Sequence, residues 1–417
     1  MSQSKRLISM GSLLIIMMML FVTGCQTDGT NAESVEQDHS QETVSAPGDS
    51  GTTPSGAVDS TPSDTGSSKN TEDIKPNPAP ITGNEEKGPV TSLNNVAALR
   101  LINNQSGWIG GDGWIARTDN GGESWVIQAK PQGVVKQIFA LNDQEAWAVT
   151  EELEIYRTRD GGGSWKQLSK APNDGFLHFT SSETGFVGHA LTRDGGKTWS
   201  NLQIPKGTVG EVYFHDESIG WVVRQLKDDS FQIMKTADGG ASWKKTTSKE
   251  TTDLLGGVII RSMGKQDAWL EVIGGSGMSQ TAYSLFHTSD GGKTWITVVA
   301  NSTAGGGPAP GYPPDKTDAP KNEGVAPGPL YVVDRNTAVM GGYCAPCDKP
   351  NTVGRTTDGG KTWENGKQAL EGSSGQLLAM ADESHGWMIT LDSEKPAILY
   401  KTTDGGMHWK KSGVLRL

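Results

Sequence analysis

Six aspartates recur in one local setting: Asp160, Asp194, Asp238, Asp290, Asp358 and Asp404 each stand third in an octapeptide of the form T-x-D-G-G-x-[ST]-W. Carboxylates placed this way could act as general acids and bases or as oxygen ligands for calcium. Their repetition argues against both, because one active site does not need six equivalent acids. An aspartate beside two glycines is turn chemistry: the carboxylate accepts bonds from nearby backbone N–H groups, and the glycines take positive φ. Nothing in the sequence singles out a carboxylate pair of the kind glycoside hydrolysis needs, so no catalytic residue is assigned. A second feature is Cys344-Ala345-Pro346-Cys347. A CxxC can be a redox motif, half a metal site or a local disulfide. With no second CxxC and no βαβ context, a loop-clamping disulfide between Cys344 and Cys347 is expected outside the cell, with no metal and no cofactor. A third feature is a cation directly before the octapeptide threonine in five copies: Arg117, Arg157, Lys235, Arg355 and Lys401, with Leu191 and His287 in the other two. A row at one repeat position is expected to be a solvent-facing site on a strand.

The elements that position these residues follow from the repeat. Seven octapeptides start at Thr118, Thr158, Thr192, Thr236, Thr288, Thr356 and Thr402, spaced 40, 34, 44, 52, 68 and 46 residues apart. Asn120 replaces the aspartate in the first copy, and His408 replaces Ser/Thr in the last. Each copy ends in tryptophan: Trp125, Trp165, Trp199, Trp243, Trp295, Trp363 and Trp409. Upstream of each lies a small residue followed by a large apolar one, as in Gly107-Trp108, Ala146-Trp147, Gly185-Phe186 and Ala338-Val339. These two patterns account for 12 of the 13 tryptophans, leaving only Trp114, so the repeat organises the core. Within one unit, apolar stretches at 135–140, 146–149, 153–157 and 164–168 are separated by turn residues and have no helical period, which reads as a four-stranded meander. One such sheet cannot bury both faces, whereas seven arranged radially cover each other. An all-β, seven-bladed propeller of four-stranded antiparallel blades is expected over 89–417, with the octapeptides as the turns between strands three and four.

Before residue 89 the composition changes. Lys5 and Arg6 precede an apolar run of ten residues, 13–22, too short to span a bilayer and suited to a secretory signal. Val22-Thr23-Gly24-Cys25 resembles the lipobox of bacterial lipoproteins, which implies cleavage before Cys25 and lipidation of its thiol. Two or more acyl chains would give stable anchoring. Residues 26–88 carry twelve acidic and three basic side chains and no Phe, Tyr or Trp, and read as a disordered acidic Ser/Thr/Pro/Gly tether. Of the total charge of −11, the signal contributes +2 and the tether −9, leaving −4 on 89–417, so a nucleic-acid partner is not expected.

The octapeptide resembles the Asp-box, or BNR, repeat of sialidases and related propellers. The fuller pattern, Gly107-Trp108-Ile109-Gly110-Gly111 running to Arg117-Thr118-x-x-Gly121-Gly122, is most similar to the photosystem II assembly and stability factor family. That resemblance implies seven blades, no catalytic activity and a client membrane subunit. The sialidase alternative would need three arginines around a substrate carboxylate, a Tyr–Glu nucleophile pair and a general acid. In a meander, loops 2–3 and 4–1 share one face, and there the insert 301–329, the CAPC loop and the loop 274–281 gather over neighbouring blades. Long loops on a rigid scaffold are where binding concentrates. A protein or peptide partner is expected on that face, with Tyr312 and Tyr343 as contact groups. The whole is expected to be an extracytoplasmic, membrane-anchored monomer. The competing expectation for 301–329 is a neutral, disordered insertion that surface loops tolerate at little cost.

Overall fold

The computed structural model describes Leu93 and residues 95–415; Cys25, the expected signal sequence and the tether lie outside them. The described residues form seven four-stranded antiparallel sheets, each paired in chain order, and no helix. The blades span 98–129, 135–170, 177–201, 208–250, 257–301, 326–365 and 375–415. Blade two runs Val135–Ala140, Ala146–Thr150, Glu154–Thr158 and Lys166–Lys170. Its fourth strand starts two residues later than the apolar pattern suggests. The cause is local: the Ser164 N–H and hydroxyl are both committed to Asp160, at 2.9 and 2.8 Å, so the box ends before pairing resumes.

Seven apolar clusters fill the seven joints between neighbouring blades, so the core is a ring. The joint between blades one and two, for example, packs Trp108 and Ile115 against Val135, Ile138 and Trp165. The ring closes where Leu101, Ile109 and Trp125 of blade one meet Trp387, Ile389 and Leu399 of blade seven. No strand is exchanged at that closure, since blade one and blade seven are separate sheets. Three box tryptophans pack edge-on against the strand-two aromatic of the preceding blade: Trp165 on Trp108 at 6.4 Å, Trp295 on Trp221 at 5.7 Å, Trp125 on Trp387 at 6.1 Å; Trp199 and Trp243 stand edge-on to Phe179 and Phe214 of their own blades. The strand-two tryptophans are all buried, but of the box tryptophans only Trp125, Trp165 and Trp409 are; the other four are half-buried. Fourth strands, at the rim, carry exposed lysines such as Lys166, Lys170, Lys244 and Lys410, which discourage edge-to-edge pairing.

Candidate functional site

Every box has the same internal wiring. In the fourth, the Thr236 hydroxyl donates to Asp238 Oδ1 at 2.7 Å and accepts from the Gly240 N–H at 2.9 Å. The Ser242 N–H and hydroxyl donate to the two Asp238 oxygens at 2.8 and 2.5 Å. The Ser242 hydroxyl, its N–H and the Thr236 hydroxyl together hold the Asp238 carboxyl down to about 2. In the fifth box the Thr294 hydroxyl, its N–H and the Thr288 hydroxyl, against a small upward push from burial, hold Asp290 at about 2 as well. Asn120 keeps the pattern with its amide: Oδ1 accepts from Thr118 and the Ser124 N–H, while Nδ2 donates to Ser124 Oγ. His408 keeps it with an imidazole, Nδ1 lying 2.7 Å from Asp404 Oδ2. The first glycine N–H of each box donates to a carbonyl in its own blade's turn between strands one and two, as Gly161 does to Gln144 at 2.9 Å. Box and turn therefore lie on the same face. The box glycines sit hard against the preceding blade: a Cβ on the second glycine Gly162, at φ +89°, would fall 1.7 Å from Gln128 Oε1 of blade one, and a Cβ on the first glycine Gly195 would fall 2.0 Å from Arg157 of blade two.

The cation row is not solvent-facing, which corrects the sequence expectation. Register places one residue from each strand of a blade in a cross-strand row, for example Arg100, Trp108, Arg117 and Val126 in blade one. The third residue of the row lies over the second and reaches into the next blade. Arg117 covers the Trp108 ring at 4.6 Å and donates to the Asp143 and Gly161 carbonyls of blade two at 2.7 and 3.1 Å. Arg157 covers Trp147 at 4.5 Å and donates to the Ser182 carbonyl of blade three at 2.7 Å. Lys235 reaches the Lys265 carbonyl at 2.8 Å, and Arg355 the Asp404 carbonyl. His287 takes the same place in blade five, stacked on Trp269 at 3.9 Å, with Nδ1 2.8 Å from the Gly359 carbonyl and Nε2 2.7 Å from the buried Asp267. Leu191 makes no such tie; blade three instead reaches blade four through His178 Nε2, 2.6 Å from the Phe214 carbonyl. Recurrence of a charge at one repeat position suggested a solvated face, but in a ring both faces of each blade are covered.

Sequence reasoning also missed the groups at the centre, where the first residue of each row stands on the innermost strand. Arg261 pairs with Glu211 at 2.5 Å and lies 3.7 Å over Phe176. His178 and Tyr213 stack at 4.6 Å, and the Tyr213 hydroxyl donates to the Ser262 carbonyl at 3.2 Å. Arg100 lies over Phe139 at 4.9 Å and makes two long bonds of 3.4 Å, to the Tyr331 hydroxyl and the Ala140 carbonyl. One further carboxyl, Glu271 on strand two of blade five, is fully buried, and neither of its oxygens has a hydrogen-bond partner. Its only signal in the sequence is a glutamate inside the apolar stretch Trp269-Leu270-Glu271-Val272. Among the described residues no group of three or more His, Cys, Asp or Glu could hold a metal.

On the opposite face the long loops gather as the topology requires. The insert is folded down onto the ring, not free: Ala309 and Asn322 are buried, and Gly311 sits where a Cβ would touch Phe231 and Phe286. Asn322 exchanges bonds with Asn301 at 2.7 and 3.0 Å and donates to the Gly341 carbonyl at 2.9 Å. That anchoring replaces the expectation of a disordered insertion. The Tyr312 hydroxyl donates to Asp318 within the insert, and the Tyr343 hydroxyl to the Ser373 carbonyl. Both tyrosines are half-buried, with their hydroxyls already engaged. Cys344 and Cys347 are disulfide-bonded. The large apolar side chains most open to solvent stand on this face: Leu254, at 80% exposure, between blades four and five, and Met278, fully exposed, on the 2–3 loop of blade five.

No known family's sequence model matches the chain, and no curated protein matches it. Among solved structures, the chain is similar to YCF48 bound to a D1 peptide, at 16% identity over 74% of this chain and 96% of that one, TM-score 0.46. It is also similar to YCF48 from Cyanidioschyzon merolae, at 14% identity over 76% and 95%, TM-score 0.44. A third is a GH74 enzyme from Niastella koreensis, at 14% identity over 78% and 66%, TM-score 0.38. Likeness at this level assigns no function.

Proposed function

We propose that the chain is a non-catalytic, extracytoplasmic binding propeller, anchored through lipidated Cys25, that takes a protein or peptide partner on its long-loop face over blades four to six. The observation that carries this reading is the exposure of Leu254 and Met278 beside an insert anchored to the ring. Apolar groups held open on a fixed surface are the usual core of a partner site. The motif resemblance to the photosystem II assembly and stability factors supports the non-catalytic part. Cross-linking and capture from native membranes, with wild type and Leu254→Ser/Met278→Ser as baits, tests it. Neither side chain is packed, so melting should not change, while the captured partner should be lost; an unaltered capture profile defeats the reading.

One observation speaks to the alternative of a glycan-binding or glycan-hydrolysing propeller: Arg100, Arg261, Glu211 and Tyr213 all belong to the inner strands. Tyr213, however, is buried and donates to a backbone carbonyl, and Glu211 accepts from Arg261 and the Ile260 N–H. Neither is free to form a nucleophile pair. Turnover of an aryl sialoside that Glu211→Gln abolishes would install this second reading in place of the first.

A further inference from the structure

We propose that the Cys344–Cys347 disulfide is a thiol–disulfide exchange site, in which Cys347 is the sulfur attacked by an incoming thiolate and Cys344 the sulfur that leaves and can reclose the pair. The chemistry belongs to the loop itself and does not depend on which partner docks beside it.

The bond is not needed to hold its loop. Strands Ala338–Tyr343 and Asn351–Thr356 of blade six pair in register as far as Tyr343 and Asn351. The Cys344 N–H then donates to the Pro350 carbonyl at 2.9 Å, so the backbone alone closes the loop 344–350 at its base. Asn351 is held again from its other side, where it exchanges backbone bonds with Leu370 at 3.3 and 2.7 Å. The disulfide joins residues only three apart. A bridge restricts the unfolded chain more the longer the loop it closes, and so short a loop leaves little to restrict. Above the base, residues 345–349 are all exposed; the disulfide and the Cys347 N–H, which donates to the Cys344 carbonyl at 3.0 Å, hold them down. A bond that contributes little to the fold is free for chemistry.

The two sulfurs are not equivalent. Cys344 is buried, at 9% exposure, whereas Cys347 stands exposed between exposed Pro346 and Asp348. Exchange proceeds by attack of a thiolate on one sulfur, and access decides which. Here only Cys347 offers the approach. Attack forms a new bond to Cys347 Sγ and breaks the bond to Cys344, whose sulfur leaves as a thiolate with the bonding pair. A second thiolate then attacks the incoming sulfur, frees Cys347 and departs as part of an external disulfide. Two thiols are oxidised, their two electrons remain on the two cysteines, and the two protons the thiols gave up pass to the cysteine thiolates. Alternatively the Cys344 thiolate, three residues away, expels the first thiol and restores the bond.

Backbone bonds also fix where the loop stands. Val325 of the insert lies between it and the long hairpin of blade five: the Thr281 N–H donates to the Val325 carbonyl at 2.7 Å, and the Val325 N–H to the Tyr343 carbonyl at 2.8 Å. Two strand spacings, about 10 Å, therefore separate Tyr343, next to Cys344, from Thr281. Thr281 pairs with Ser276 at the tip of the hairpin that carries exposed Met278. A protein seated on Met278 thus lies beside Cys347, and small thiols reach the same sulfur from solvent. Both sources bring one chemistry, a thiolate, and the experiment separates them.

The test places full-length protein in glutathione buffers of graded ratio, with alkylation and peptide-resolved mass spectrometry reading Cys344 and Cys347 separately. Reduction of the folded protein, a glutathione adduct on Cys347, and an unchanged melting temperature on reduction are expected. Cys344→Ser, which leaves the exposed sulfur, should be alkylated about tenfold faster than Cys347→Ser, which leaves the buried one. The double variant Cys344→Ser/Cys347→Ser keeps the bonds at the loop base and should melt as wild type. For the source, oxidised wild type is mixed with native membranes and reduced glutathione and quenched by alkylation. A protein-sized adduct on Cys347 that Leu254→Ser/Met278→Ser removes identifies the cysteine of a docked protein; a glutathione adduct alone identifies a small thiol. A pair that stays oxidised in reduced glutathione until the protein unfolds overturns the proposal. So does a fall in melting on reduction, or equal alkylation of the two single variants. None of these three readouts involves a partner, so they stand whatever capture through Leu254 and Met278 shows.

Discussion

Glu271 shows how a single residue can work against the fold that contains it. Burial pushes its carboxyl up to about 8 from an ordinary value of 4.5. In the unfolded chain the group ionises near its ordinary value, while in the fold it stays neutral. Stability is therefore greatest below the ordinary value and is lost progressively as pH rises to about 8. Glu271→Gln, which copies the neutral form, should melt as wild type near pH 4.5 and higher than wild type at pH 8; equal melting at both would show the carboxyl is solvated. The box aspartates have the opposite sign. Asp238 and Asp290 are lowered to about 2 from 3.8, so their contribution is complete above 3.8 and disappears as pH falls towards 2. Asp238→Asn/Asp290→Asn should flatten the acid limb of the unfolding curve in that window, and an unchanged limb would contradict the wiring. Tryptophans divide by burial: Trp165→Ala should cost about 3–5 kcal/mol as a core truncation. Half-buried Trp243 should cost clearly less in chemical denaturation.

Among the elements, what could be read from sequence was what is local. Each box closes its threonine and aspartate side-chain bonds within eight residues, so threonine, aspartate, two glycines and tryptophan are legible in one line, and the number of blades follows from the number of boxes. The ties between blades are not local. Arg117 meets a carbonyl 44 positions away, and backbone carbonyls carry no sequence mark. The innermost level was hidden for another reason: Arg100, Phe139, His178 and Tyr213 share a place in the register but no residue type. The insert misled through its composition, since glycine and proline suggest slack chain, whereas here glycines such as Gly311 permit close approach to Phe231 and Phe286. A tie is nevertheless testable as an element property. Arg157→Met keeps the stacking on Trp147 and removes the bonds to Ser182 and Glu145, at 2.7 and 2.8 Å. It should cost about 2 kcal/mol in urea unfolding, as charged hydrogen bonds to partly buried acceptors do. A cost within error of zero would show the row is decoration on packing.

For the whole molecule, the way the ring closes matters most. A repeat array draws its stability from neighbour interfaces, and closing seven blades adds a seventh interface to the six that a linear array would have. Six joints are also bridged by the chain itself. The joint between blades seven and one is not, and it has no shared strand; it rests on Trp125 against Trp387, on Leu101, Ile389 and Leu399, and on Lys401, whose Nζ would lie 2.7 Å from a Cβ on Gly121 of blade one. Local opening follows the lowest-energy route, and a joint with no covalent bridge separates without straining any connection. Amides of strand one in blade one, Ala98–Leu101, and of strand four in blade seven, Lys410–Leu415, should therefore exchange with solvent before those of equivalent strands elsewhere in the ring. Trp387→Ala should accelerate exchange at this joint first, while the equivalent Trp147→Ala should loosen blades two and three and leave the closure protected. If exchange is uniform around the ring, or if Trp147→Ala opens the closure as readily as Trp387→Ala does, the molecule unfolds as one cooperative unit and the closure is not its weak point.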